Sequence, residues 1–265
     1  MTRTELTRTE LTQTEPTQTE RFAARTGAGP PSPGAALELT LRRMRTVRSA
    51  WPAGDGVAVF HRVFLAVLES ADPAVPPPGP LVVRLAERYL SAVETSADGG
   101  RTPACWRPLF HYRRHPDVRP RQFALAGIHA LTAHDLAPAV VDLCRTAGCE
   151  PPAVEGEFDR VGDLLTLLEE RIREDVAPAP ELLKVTDPLA HLLGSWNLER
   201  AREAAWSSAR VLWALRDVPP LAEEFRERMD EAAGLTARCM LTPWRPEPYR
   251  TELQRLSAQQ DSGLR

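Results

Sequence analysis

The residues of this chain best placed for chemistry are His134 and Asp135, in the segment Gly127-Ile128-His129-Ala130-Leu131-Thr132-Ala133-His134-Asp135-Leu136. On a helix, Gly127, Ala130, Leu131 and His134 share one side at spacings of 3, 4 and 7. That side is small and apolar, so the spacing predicts an inward His134, with Asp135 one stripe over and nearer the rim. A carboxylate raises a histidine's basicity while burial lowers it. Their contest can tune a general base toward neutral pH. The alternative is a core histidine whose ring nitrogens are satisfied by neighbours.

Other groups could join or compete. His61 lies beside Phe60 and Phe64, and it and His129 are candidates for the same acid–base site. Phe64, Trp106, Leu131 and Trp206 are candidate substrate-lining residues, with Trp206, Trp213 and Trp196 either core packing or an aromatic wall around a nonpolar ligand. His111 and His115 stand at a metal-binding i, i+4 spacing. The intervening arginines and the missing glutamate of HExxH argue against a cation there. Asp159 and Asp163 are four apart, as in helices that share a divalent cation, but acidic residues in a first turn also suit the helix dipole alone. An isoprenoid cyclase would need a denser acidic cluster and a second metal motif. Trp196-Asn197-Leu198-Glu199 with Glu203 is only an outline of one. The reading is therefore no cofactor, with a divalent metal at Asp159 and Asp163 as the minor alternative.

No P-loop, strand-led GxGxxG, GxSxG or kinase signature is present, which argues against the common nucleotide-dependent and serine-hydrolase folds. The four cysteines, Cys105, Cys144, Cys149 and Cys239, form no CxxC pair, so they read as free thiols in a reducing compartment. The net charge of -3 lacks the basic excess that nucleic acid or an anionic membrane would select. Lys184 is the only lysine; the arginine bias matches high-GC codon usage and carries little functional meaning. No run of about 18 apolar residues occurs, and the polar N-terminus has no signal-peptide core. The expected location is the cytoplasm, and the expected partner a small hydrophobic molecule, with neither nucleic acid nor membrane.

The elements that must position these groups are helical. Residues 1–35 comprise a Thr/Glu-rich five-residue repeat and a Gly/Pro/Ala linker, and are expected to be disordered. Hydrophobic residues make up 43% of the chain, enough for a substantial core. Apolar periodicity predicts helices over 37–50, 55–70, 81–95, 106–115, 121–147, 155–175, 187–218 and 221–240. Pro138 should kink or split the fifth of these, which ends at Gly148. No alternating β-branched run or hairpin signal occurs. The expected fold is an all-α single-domain bundle of roughly seven to nine helices over 36–245, with a tail at 246–265.

The central segment resembles the signature of an actinobacterial family known only as a domain of unknown function, number 5995, whose pattern reads Gly-x-Asn-Ala-His-Ile-Asn-x-Asp-Leu. Gly127, Ala130, Asp135 and Leu136 match it. The aromatic helix at Phe60 to Leu68, Trp106-Arg107, and Phe158 to Val161 occur in similar order, so the resemblance spans roughly 37–220. The family's asparagine is His129 here, its histidine is Leu131, and its second asparagine is Ala133. If those polar residues form a site in the family, most of it is replaced here, and His129 and His134 rebuild another. The resemblance implies a helical fold and no particular activity.

The expected function is that of a small-molecule enzyme of bacterial secondary metabolism. His134 and Asp135, with His61 or His129, would perform a cyclisation, isomerisation or hydrolysis in an apolar pocket. The alternatives are a non-catalytic ligand-binding or protein-interaction module, and a metal-dependent isoprenoid cyclase.

Overall fold

The computed structural model describes residues 32–52, 54–70, 77–175 and 197–243, and among these every regular element is a helix. They are α1 (Pro33–Ala50), α2 (Gly56–Leu68), α3 (Pro80–Ala97), α4 (Arg107–Tyr112), α5 (Pro120–Ala130), a π-helical turn (Leu131–Asp135) and α6 (Leu136–Ala147). A 3₁₀ turn (Pro151–Val154), α7 (Glu155–Asp175), α8 (Leu198–Ala214) and α9 (Pro219–Met240) complete the order. The all-α expectation therefore holds. The described part of the expected 187–218 helix begins at Leu198; residues 176–196, Trp196 among them, lie outside the described residues.

Prolines start five of these helices at their first or second position: α1, α3, α4, α5 and α9. There the missing amide hydrogen costs nothing, because first-turn amides have no intrahelical acceptor. Asp55 caps α2, accepting from the Val57 amide at 3.0 Å, and its other oxygen takes the Arg113 Nε–H at 2.6 Å. That ion pair, buried on the Asp55 side and partly exposed at Arg113, ties the start of α2 to the end of α4.

The segment Pro120–Ala147 is one continuous helical rod through the centre, and α2, α3, α7, α8 and α9 all pack on it. It is long and apolar enough to cross a membrane by those criteria alone, but 89% of its most apolar stretch is buried inside this fold. It ends where Gly148 turns left-handed at φ 65°, which a glycine adopts without a Cβ penalty. Beside the rod, Phe60, Phe64, Tyr89 and Trp106 form an aromatic cluster, with Tyr89 and Trp106 ring centroids 5.0 Å apart.

The regular α-helix expected over 121–147 is interrupted just upstream of Pro138 by the π turn. The ladder adapts just upstream by one wide turn, in which the Leu136 amide donates to the Leu131 carbonyl. Pro138 has no amide hydrogen to give the His134 carbonyl, and a π turn relieves the crowding such a ring causes. Thr132 Oγ1 donates to the Ile128 carbonyl at 2.8 Å within the same stretch. This turn decides how the site is presented.

Candidate functional site

The π turn adds a residue to one helical revolution, so face assignments made at 3.6 residues per turn fail beyond Leu131. The expected orientation of the pair is consequently reversed. Asp135 is the buried member, with its side chain 4% exposed, and His134 is nearer the rim at 12%.

Asp135 is held at both oxygens. Trp106 donates its indole Nε1–H to Oδ2 at 2.8 Å, and His134 Nδ1 lies 2.9 Å from Oδ1. A carboxylate only accepts, so Nδ1 carries the proton in that bond, and a neutral ring then leaves the Nε2 lone pair free. Nε2 points toward α9, where Asp230 Oδ1 stands 4.0 Å away.

Asp230 is fixed by the turn that precedes α4. Its Oδ2 accepts from the Ala104 amide at 2.7 Å and its Oδ1 from the Cys105 amide at 2.8 Å. Burial works to raise its pKa, but the Cys105 and Ala104 amides, the Cys105 thiol and His134 together hold it below the usual carboxylate range. The fully buried Cys105 thiol is pushed well above the usual thiol range by burial and then by Asp135 and Asp230. It is therefore a protonated thiol and a poor nucleophile. The Cys105 sulfur, a His134 ring nitrogen and an Asp135 oxygen lie within 4.8 Å of one another.

α9 reaches this cluster because it runs antiparallel to α5. Gln122 Nε2 donates to the carbonyls of Met240 and Thr242 at one end, and His134 faces Asp230 at the other. Close approach depends on Gly234, where a Cβ would overlap the Ala104 carbonyl. His129 is buried near Ala233, between these two ends. Neither of its ring nitrogens reaches hydrogen-bond geometry with any group. Burial lowers its pKa to about 4, the Ala233 backbone opposing only in part.

His61 sits elsewhere. Its Nε2 donates to the Met44 carbonyl at 2.9 Å, which leaves Nδ1 to accept from the Tyr89 hydroxyl at 3.0 Å. Tyr89 and Trp106 stand between His61 and Asp135. Phe64 and Leu131 are fully buried core residues, as is Trp106 apart from its bond to Asp135. Trp206 is partly buried and packs on Phe158 at 4.7 Å, with Trp213 also partly buried under Arg216. His111 and His115 both face the Tyr112 ring, and His115 Nδ1 accepts from the Asp117 amide. Asp159 and Asp163 are exposed, and Asp159 lies 3.7 Å from Arg202, a position that does not gather ligands around a cavity.

Reading by sequence overlooked Cys105 and Asp230 as members of this cluster. Their only signals were local: Cys105 precedes the Trp106-Arg107 pair, and Asp230 sits one turn before the small residues Ala233 and Gly234. Neither indicates which helix it will meet.

Comparison with known proteins adds kinship without chemistry. The model of one family, DUF5995, described as a family of unknown function, matches residues 37–243. No curated protein and no solved structure matches the chain.

Proposed function

Since the chain belongs to this family of unknown function, which carries no activity with it, we propose a function from the site itself: an enzyme that moves a proton on a small molecule. His134 is the general base and acid, and Asp135 orients its ring and offsets the charge it gains. The observation that carries this reading is the Trp106–Asp135–His134 relay. It holds a histidine tautomer with Nε2 free, on the less buried member of the pair. A base held in one tautomer by a buried, doubly hydrogen-bonded carboxylate follows the same logic as catalytic triads. Isomerisation, cyclisation and hydrolysis by an activated water can each use such a group. The high pKa of the Cys105 thiol favours proton transfer over covalent catalysis. The substrate is a small, largely apolar molecule approaching from the His134 side, and bacterial secondary metabolism in the cytoplasm supplies molecules of that kind.

The test is to incubate the purified protein with a metabolite extract and follow mass features over time, against His134→Ala and Asp135→Asn. Features consumed by the wild type and spared by both variants support the reading. Identical profiles for all three proteins overturn it.

The non-catalytic reading has two observations in its favour. His61 is fully satisfied within the core, while Val211, Val218, Leu221 and Leu235 are exposed on α8, α9 and their connection. Exposed apolar side chains on adjoining elements suit a binding surface. An isoprenoid-cyclase reading lacks support from Asp159 and Asp163, both of which face solvent.

A further inference from the structure

We infer that Cys105, His134, Asp135 and Asp230 form a binding site for a divalent transition-metal ion of the zinc type. The inference shares two residues with the proton-transfer reading but does not depend on it, because metal binding is read without any substrate.

Three observations converge. The first is the donor set. A thiol sulfur, an imidazole nitrogen and a carboxylate oxygen lie within 4.8 Å of one another, and Asp230 Oδ1 is 4.0 Å from His134 Nε2. Sulfur, nitrogen and oxygen together suit zinc and disfavour magnesium or calcium, which take oxygen ligands. Ligand atoms around tetrahedral zinc stand roughly 3.5 Å apart, so closing Cys105, His134 and Asp135 on an ion asks for about an ångström of side-chain movement, with Asp230 reaching in from outside that group.

The second is charge. Asp135 is buried and Asp230 is mostly so, with side chains 4% and 23% exposed. Among the described residues neither forms an ion pair with an arginine; the His134 imidazole is the one basic group within 4.0 Å of either. Two carboxylates around one imidazole in a mostly dry site are under-neutralised, and a cation relieves that cost.

The third is support from outside the donor set. The Trp106 indole fixes Asp135, and the Ala104 and Cys105 amides fix Asp230. Hydrogen bonds that orient metal-binding carboxylates are what a built site has. The donors come from three elements, the turn before α4, the π turn and α9, so the ion would pin these together.

On binding, the S–H bond of Cys105 breaks as the sulfur–metal bond forms, and the proton leaves to solvent. The ion also takes a His134 ring nitrogen, either occupying Nε2 or breaking the Nδ1–Asp135 bond, and both disable the relay that the proton-transfer reading needs. Occupancy and base catalysis at His134 therefore exclude one another.

The experiment is titration of the full, tag-free, chelator-treated chain with Co²⁺ and then Zn²⁺, followed by absorption and calorimetry. One ion per chain is expected, with a thiolate-to-cobalt charge-transfer band that Zn²⁺ displaces. The band should vanish in Cys105→Ser and persist in Cys144→Ser, which alters a different thiol. Asp230→Asn, which keeps the side chain's size, should weaken binding at least about tenfold. Absence of stoichiometric binding overturns the inference, as does a band that survives Cys105→Ser. Should Cys105→Ser fail to fold, the wild-type band and the Asp230→Asn shift decide alone. Metal binding without any metabolite turnover would retain this site and reject the proton-transfer reading; turnover without metal binding would do the reverse.

Discussion

The Trp106 indole N–H donates to Asp135 Oδ2 at 2.8 Å inside the core, joining the α4 turn to the π turn of the central rod. It occupies the oxygen that His134 does not use, so the carboxylate has one orientation available to it. Replacing Trp106 by Phe would keep an aromatic ring in the cluster with Tyr89 but leave Asp135 Oδ2 without a donor. The expected loss is about 1–3 kcal/mol, read as a lower urea midpoint with unchanged slope. A variant as stable as the wild type would mean that this bond does not hold Asp135.

His61 makes stability acid-sensitive. Burial lowers its pKa to about 4, the Met44 carbonyl opposes, and Arg48 adds to the fall. The unfolded chain binds a proton below about pH 6.5 that the folded chain refuses, so its contribution is complete above that value and is lost as pH falls toward about 4. Between about pH 7 and pH 5 the cost should be near 2 kcal/mol. His129, lowered to about 4 as well, adds to it in the same direction. Urea denaturation at the two pH values should show a smaller difference in His61→Gln than in the wild type; equal differences would clear His61 of the effect.

His129 offers the opposite test. Its ring nitrogens are buried with no hydrogen-bond partner, a state that costs about 1–3 kcal/mol for a polar group. His129→Leu should therefore leave the melting temperature unchanged or raise it. A marked fall would show that the imidazole has a polar role, such as holding an internal water or a ligand.

Gly234→Ala probes the seating of α9. The added methyl would overlap the Ala104 carbonyl, which is backbone and cannot swing aside. Overpacking of this kind costs about 1–3 kcal/mol. Because Asp230 and the Cys105 turn meet across the same contact, metal binding and turnover should fall together with stability. Full retention of all three would show that α9 can move without disturbing the cluster.

The helices themselves were legible because their causes are local. Apolar residues recur at helical spacing, prolines stand at first turns, and Gly148 supplies the left-handed stop. Neighbours in sequence decide each of these, so the all-α architecture could be read directly. The orientation of the pair could not. The central rod is buried nearly all round from Gln122 to Thr132, which leaves no polar face to set the phase. The π turn before Pro138 then shifts that phase by a residue, exchanging the roles of His134 and Asp135. The remaining partners were beyond reach of any local rule. Trp106 meets Asp135 across 29 residues, and the Ala104 amide meets Asp230 across 126. Only the antiparallel packing of α9 on the rod brings Cys105 and Asp230 to His134, because helix–helix contact follows from side-chain fit between distant segments. The sequence by itself determined that this chain is helical and singled out one histidine and one aspartate as the pair to locate. The tertiary structure decided which of the two is buried and which second carboxylate and thiol stand beside them.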